Sequence, residues 1–262
     1  GVEVILDVAA VGRNLQDHLC YDHIYRSRRP SLNDELGPWT GKLKVGLQYL
    51  LFRKGPLALS LNQGGGYYRS KPGLMAPDIQ LYFSPLSYER ATTPRVRALM
   101  SPDPFSGFST SVSPCKPKSV GHLAITAPDW RAAPEIHPNY LSDPFDLEQL
   151  LDGARYLRRL AATPSLAAII DNEMKPGPAA QSDDDLIDDI RARSYSVFHP
   201  VGTCRMGADP VGAVVDPQLR VHGLDGLRVA DASIFPVITS GNTNAPSIMV
   251  GERAAEFILG AA

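Results

Sequence analysis

Two polar stretches near the C-terminal end of the chain carry side chains that can move a proton and stabilise charge. His199 lies in a turn marked by Pro200 and Gly202. An imidazole titrates near neutral pH and can accept a proton as a general base. We expect Phe198 and Pro200 to position its ring and limit its hydration. The loop Gly241-Asn242-Thr243-Asn244 adds amide groups that can hydrogen-bond an oxygen on which negative charge develops.

A strand and a helix are predicted to hold these stretches in place. Leu227–Ala230 is predicted to form a strand that ends at Asp231-Ala232-Ser233. The run Asn244-Ala245-Pro246 is typical of a helix start, because Asn is a good N-cap and Pro at a first helical position loses no hydrogen bond. Gly260 is the predicted stop. Free N–H groups at such a helix start suit an anion, or a group that becomes anionic during a reaction.

Composition limits the classes of partner. The 262 residues contain 26 Lys and Arg against 28 Asp and Glu, with 44% hydrophobic and 21% charged residues. These values are typical of a soluble globular protein of one or two domains. They give no electrostatic case for nucleic acid or an anionic membrane, so a small molecule is the expected partner. The sequence lacks an apolar run long enough for a membrane span and shows no signal-peptide pattern. We expect a soluble protein of the bacterial cytoplasm or periplasm, with the compartment left open.

The cysteines and clustered acids do not predict a metal site. Cys20, Cys115 and Cys204 are scattered and lack CxxC spacing, which argues against a disulfide framework and against zinc. Asp183-Asp184-Asp185 opens a predicted helix, where the helix dipole favours negative charge. Consecutive carboxylates on a helix point in different directions, so we predict no metal there.

Hydrophobic periodicity predicts further helices and antiparallel strands. The predicted helices are Leu43–Phe52, the segment from Pro144 to Ala161, and Asp183 to about Arg193. The predicted strands are Gly1–Val8, Gly66–Arg69, Ile79–Ser84, Ser109–Ser113 and Gly121–Thr126. Residues 90–107 carry prolines and basic residues without periodicity and are predicted to form a surface loop.

Several longer stretches resemble one enzyme family. HPVGTCRMG, LRVADASIFP and GNTNAPSIMVGERAAEFI, together with the opening GVEVILDVAAVGRNLQDHL and residues 128–146, PDWRAAPEIHPNYLSDPFD, resemble the glucose-methanol-choline (GMC) oxidoreductases. The resemblance implies an α+β or α/β fold. Its parts would be an antiparallel-sheet substrate domain with helices and the C-terminal portion of a discontinuous Rossmann-like FAD-binding domain. By this resemblance, 1–18 belong to the FAD-binding domain, 19–195 to the substrate domain, and 196–262 to the C-terminal FAD-binding part with the active site.

The same resemblance implies roles for individual residues. His199 is the catalytic base, and a second position 45 residues later, occupied by His or Asn in the family, falls on Asn244 rather than Asn242. Asn244 would orient the substrate oxygen. Asp231 and Ala232 lie beside the ribityl and pyrophosphate of the FAD. The backbone of Ala245 and Pro246 lies at the pyrimidine end of the flavin.

The remaining histidines are expected to have structural roles. They are His18, His23, His122, His137 and His222. Arg13 and Asp17 are expected to form a local ion pair that fixes a turn, with direct cofactor contact as the alternative.

The implied activity is FAD-dependent oxidation of an alcohol to an aldehyde, by proton abstraction and hydride transfer to the flavin. The sequence has no GxGxxG motif, so an N-terminal FAD-binding part is expected as a separate chain or as a segment lost by cleavage. Two alternatives stay open: a hydroxynitrile lyase of the same family, and a fragment without catalysis.

Overall fold

The computed structural model describes residues 3–88 and 101–260. Contacts divide this part of the chain into two compact units. Unit 1 contains the described residues of Gly1–Leu19, Pro114–Leu147 and Ser196–Ala262, and unit 2 those of Cys20–Ser113 and Glu148–Tyr195. Residues 114–147 therefore group with the chain ends, whereas the sequence-based division placed them with 19–195. The functional assignment of these parts stays a prediction.

The strands form one large and one small sheet. In the described residues they are β1 (Leu19–Ser27), β2 (Gly64–Tyr68), β3 (Ile79–Ser84), β4 (Gly107–Pro114), β5 (His122–Ala124), β6 (Glu135–His137), β7 (Ile170–Lys175) and β8 (Tyr195–Ser196). The large sheet has the order β2-β3-β4-β1-β7, with β8 also paired to β1, and β5 pairs with β6. The pairs β1–β4, β1–β7 and β2–β3 are antiparallel.

The helices are α1 (Leu32–Leu36), α2 (Trp39–Phe52), α3 (Pro144–Ala161), α4 (Pro164–Ala167), α5 (Asp183–Arg193) and α6 (Asn244–Leu259), with short 3₁₀ turns at Pro56–Ala58 and Ala232–Ile234. The predicted α+β architecture, an antiparallel sheet with helices, is confirmed. The predicted helices correspond to α2, α3 and α5, and the predicted strand Ile79–Ser84 is β3. Of the predicted surface loop, residues 90–100 lie outside the described residues.

Helix α3 packs against the large sheet because its apolar side chains repeat at helical spacing. Leu150, Ala154 and Leu157 are fully buried. Tyr156 on the same helix stacks on Tyr68 of β2, with ring centroids 3.9 Å apart. The segment Glu148–Ala161 is therefore an integral part of unit 2.

Strand β1 has both faces covered. Seven consecutive residues from Leu19 are buried, including Asp22 and His23. Arg193 of α5 binds the Asp22 carboxylate at 3.1 Å, which compensates its burial. Burial lowers the pKa of His23 to about 3, so this ring stays neutral.

Two predicted strands of unit 1 are wrong. Residues 3–8 form no strand, and 227–230 contain only an isolated bridge between Arg228 and Arg220. These segments pack through side chains instead: Val8 and Val229 lie against a core that includes Val215, Ile238, Val250 and Ala254. Short apolar runs thus contribute to this core without a strand partner.

Helix α6 completes that core. Val250 and Ala254 are its buried residues. Gly260 ends the helix as predicted: it adopts a left-handed conformation, φ 70°, and its N–H donates to the Glu256 carbonyl. The helix begins at Asn244, with Thr243 at the N-cap position, so Pro246 is the third helical residue and not the first.

Among residues 3–88 and 101–260, every helix is too short or too polar to cross a bilayer.

Candidate active site

His199 occupies a buried position at the start of the C-terminal segment of unit 1. Its exposed fraction is 8%, whereas Phe198 beside it is 82% exposed. Phe198 also has a left-handed backbone, φ 62°, so the chain turns sharply there. Both Phe198 and Pro200 are exposed, and their expected role in positioning the ring and limiting its hydration stays a prediction. Other elements of the unit contact His199 directly.

Asp17 fixes the backbone of His199. Its Oδ1 accepts the His199 N–H at 2.9 Å. Its Oδ2 accepts from the Ser196 hydroxyl and from the Tyr140 phenol, each at 2.5 Å. Burial and the bond to Asp17 raise the pKa of Tyr140, so its phenol remains a donor at neutral pH. These contacts replace the predicted ion pair with Arg13, and they make Asp17 the anchor of the turn that carries His199.

The segment before Asp17 pairs with the segment after His199. Gln16 and Val201 exchange two backbone hydrogen bonds, at 3.1 and 2.9 Å. The Gln16 side chain donates to the Pro117 carbonyl and accepts from the Ile238 N–H. Gln16 thus connects its own segment with three other segments of unit 1, those that contain Pro117, Val201 and Ile238.

His18 contacts the ring of His199 directly. The two Nδ1 atoms are 3.0 Å apart, and the rings meet edge to face at 86°. The Nε2 of His18 lies 3.1 Å from the Cys115 carbonyl oxygen. His18 is 1% exposed. The sequence predicted only a structural role for His18. Nothing in the dipeptide Asp17-His18 indicated a contact with His199, which lies 181 positions later.

Asn242, and not Asn244, is the amide that the structure brings to His199. The Asn242 Nδ2 lies 3.1 Å from the His199 Nε2. Asn244 is the first residue of α6, with an exposed side chain. The structure therefore brings Asn242, rather than the predicted Asn244, to His199, and the catalytic role of either residue stays a prediction. The physical reason is that Asn244 already belongs to the first turn of the helix, whereas Asn242 still lies in the loop that faces the histidine.

Burial keeps both imidazoles neutral. It lowers the pKa of His199 from its ordinary value of 6.5, while the Asp17 carboxylate acts in the opposite direction. Burial also lowers the pKa of His18. At neutral pH His199 therefore has a lone pair on one nitrogen, as a general base requires.

The start of α6 fits an acceptor-rich group. Within the described residues, the backbone N–H groups of Asn244 and Ala245 have no acceptor, and Thr243 makes no side-chain cap. The first bond of the helix is Ser247 N–H to the Thr243 carbonyl, at 3.0 Å. Two donors at the positive end of a 16-residue helix suit partial negative charge. Pro246 contributes no donor, as predicted.

Asp231 and Ala232 lie on a turn that is bonded to the segment after His199. The Asp231 Oδ1 caps the turn by accepting the Ser233 N–H at 2.7 Å, and the carboxylate is exposed. The Ser233 carbonyl accepts from the Cys204 N–H at 2.8 Å. This pairing holds the exposed Asp231 carboxylate on the same scaffold as the histidine, with Oδ2 available to a hydroxyl donor.

Replacing Asp17 with asparagine is expected to lower the free energy of unfolding by about 2–3 kcal/mol, because hydrogen bonds to a charged acceptor are lost and an amide NH₂ faces donors. Tyr140→Phe removes one of the same bonds and is expected to cost about 1 kcal/mol. Urea unfolding at pH 7 measures both. Equal losses in the two variants would contradict the anchoring role of Asp17.

Comparisons with known proteins identify the family of the chain. A family model described as GMC oxidoreductase matches residues 117–251, a range that includes His199 and Asn242. The chain is 38% identical over 260 residues to an alcohol dehydrogenase [acceptor] of Pseudomonas putida, covering 99% of this chain and 46% of the relative. It is 40% identical over 264 residues to an oxygen-dependent choline dehydrogenase of Rhizobium etli, with the same coverages.

A solved structure shares the fold. Pyridoxine 4-oxidase from Mesorbium loti matches with a TM-score of 0.78 and 28% identity, over 97% of this chain and 45% of that protein. The chain thus spans about half the length of the relatives that it matches. The match of the family model over about half of its residues, on a fold shared with the solved relative, shows that the chain belongs to the GMC oxidoreductase family.

Proposed function

We propose that this chain is the C-terminal part of an FAD-dependent oxidoreductase that oxidises an alcohol to an aldehyde. The observation that carries the proposal is the neutral His199, whose Nε2 lies 3.1 Å from the amide of Asn242. A base and an oxygen-binding amide side by side are what removal of a hydroxyl proton requires. The names of the relatives, alcohol dehydrogenase and choline dehydrogenase, support an alcohol as the substrate class.

His199 Nε2 accepts the hydroxyl proton in this mechanism. The ring does not need to move far, because its backbone is held by Asp17 and its Nδ1 by His18. A neutral imidazole in a largely water-excluded position gains a proton only when the substrate supplies one. Such general-base assistance contributes about 10²–10⁴ in rate.

Asn242 holds the substrate oxygen while the proton leaves. Its Nδ2, which contacts the His199 Nε2 at 3.1 Å, would turn an N–H to the developing alkoxide and stabilise the charge there. Asn cannot act as a base, so His199 is the sole proton acceptor that we assign. The proposed role of Asn242 replaces the one that the sequence gave to Asn244.

The residues around the helix start fit FAD. The N–H groups of Asn244 and Ala245 would face the pyrimidine end of the ring, and the Asp231 carboxylate would accept from ribityl hydroxyls. Bound FAD supplies the acceptor for the hydride. The small side chain of Ala232 would permit the FAD to approach the backbone closely. An N-terminal FAD-binding part, as a separate chain or a cleaved segment, would complete the cofactor site.

Anaerobic mixing of the purified flavin-loaded protein with ethanol, benzyl alcohol or choline tests the proposal. We expect one of these alcohols to bleach the visible flavin bands and yield the aldehyde. If the flavin stays yellow and the protein cleaves a cyanohydrin instead, the protein is a hydroxynitrile lyase and the proposal is wrong. A colourless protein after expression with the N-terminal part would contradict FAD binding.

A further inference from the structure

We propose that His18 is a positioning residue that sets the tautomer of His199, so that the lone pair of His199 lies on Nε2. The catalytic consequence rests on the proposed function, but the tautomer itself does not. The inference uses hydrogen-bond directions at three neighbouring contacts within unit 1.

The first contact fixes the proton of His18. Its Nε2 lies 3.1 Å from the backbone carbonyl of Cys115. A carbonyl oxygen only accepts, so Nε2 of His18 must carry the proton. A neutral imidazole has one N–H, and burial lowers the pKa of His18 against the opposing effect of the Cys115 and Thr239 carbonyls and of Asp17, which favours the neutral form. The Nδ1 of His18 is therefore an acceptor.

The second contact fixes the proton of His199. The two Nδ1 atoms are 3.0 Å apart, a distance at which one must donate. Because Nδ1 of His18 is the acceptor, Nδ1 of His199 carries the N–H. The opposite tautomer would set two lone pairs against each other in a buried place, at the cost of an unsatisfied polar pair.

The third contact agrees independently. With its proton on Nδ1, His199 has an accepting Nε2, and the group at 3.1 Å from Nε2 is the NH₂ of Asn242. The chain of donors thus runs from Asn242 through His199 and His18 to the Cys115 carbonyl. Each member of it donates once to the next.

The contact at Nδ1 is kept in the protonated state of the base. When Nε2 of His199 gains a proton, its Nδ1–H still has an acceptor in His18, whereas the NH₂ of Asn242 must turn away from Nε2. His18 cannot gain a charge of its own at that moment, because it would face an imidazolium at 3.0 Å. His18 therefore orients the base and does not carry the proton onward.

The histidine tautomers can be measured in the purified protein by two-bond ¹H–¹⁵N correlation after ¹⁵N-histidine labelling. We expect the Nδ1–H form for His199 and the Nε2–H form for His18. His222 serves as an internal reference, because its Nε2 lies 3.0 Å from the Gly207 carbonyl and should carry the proton in every variant. An Nε2–H tautomer of His199 in the unsubstituted protein would overturn the proposal.

Two variants distinguish the effect of the hydrogen-bond acceptor of His18 from the effect of its side-chain volume. In His18→Asn the amide oxygen can replace Nδ1, so His199 is expected to keep its Nδ1–H form. In His18→Phe the ring remains but the acceptor is lost, so a mixture of tautomers is expected at His199. An unchanged His199 in the Phe variant would overturn the role of His18, and if that variant fails to fold, the unsubstituted protein still decides.

The consequence for turnover is a separate measurement. In the flavin-loaded protein His18→Phe is expected to slow flavin reduction by alcohol about tenfold, with most of the rate kept in His18→Asn. If no alcohol reduces the flavin, the proposed function fails while the tautomer result stands. If alcohol reduces the flavin but His199 has the wrong tautomer, only the role of His18 fails.

Discussion

His199→Ala is expected to lower the rate constant of anaerobic flavin reduction by about 10²–10⁴-fold, because the proton acceptor is removed while the rest of the site remains. The matched control is His137→Ala, which removes a half-exposed imidazole paired with Glu135 on the small sheet. Stopped-flow absorbance of the flavin, with the alcohol in excess and oxygen excluded, measures both variants.

The loss in His199→Ala should shrink at high pH, where hydroxide in solution and a larger ionised fraction of the alcohol can partly replace the base. Flavin content per protein should stay unchanged, since His199 is not among the residues that fit FAD. A reduction rate within threefold of the unsubstituted protein at pH 7 would remove His199 from the mechanism.

The second large effect is expected for Gly202→Ala, which should lower the free energy of unfolding by roughly 3–4 kcal/mol. Gly202 has φ 89°, and an added Cβ would lie 2.3 Å from the backbone oxygen of Asn14. Both the left-handed conformation and the contact with rigid backbone oppose the substitution. The segments that carry His18 and His199 would be forced apart.

Gly226→Ala is the matched control for Gly202→Ala. Gly226 has φ 78° but no atom within 4 Å of an added Cβ, so only the conformational cost of about 1–2 kcal/mol applies. The difference between the two variants in urea unfolding reports the close approach of Gly202 to Asn14. Equal losses of stability in the two variants would show that the close contact between Gly202 and Asn14 does not oppose the substitution.

Strongly periodic segments could be predicted from the sequence alone. In α3 the buried residues Leu150, Ala154 and Leu157 recur at helical spacing. Strand β3 has the bounds that the sequence predicted, although its burial does not alternate. β1 could not be recognised in the same way, because both of its faces are buried and its Asp22 and His23 break the apolar pattern. The false strand at 227–230 has the composition of a strand, but composition does not supply a neighbouring strand with which to pair.

The candidate site was only partly predictable. The motif around His199 led to the proposal that this residue is the base. The choice between Asn242 and Asn244 depended on where α6 begins, and helix ends are uncertain by a residue or two from sequence alone. Neither Asp17 nor His18 could be placed beside His199, because their contacts with it join residues 182 and 181 positions apart.

These long separations also determine when the site can form during synthesis. Asp17 and His18 are synthesised before Tyr140, and Tyr140 is synthesised before Asn242. Bringing such distant segments together costs loop-closure entropy before any contact compensates it. The parts of unit 1 that are synthesised earlier therefore remain incompletely packed until α6 is available. A ribosome-bound chain that ends before α6 should lack the ordered site, and unit 1 is most exposed to misassembly before α6 has been synthesised.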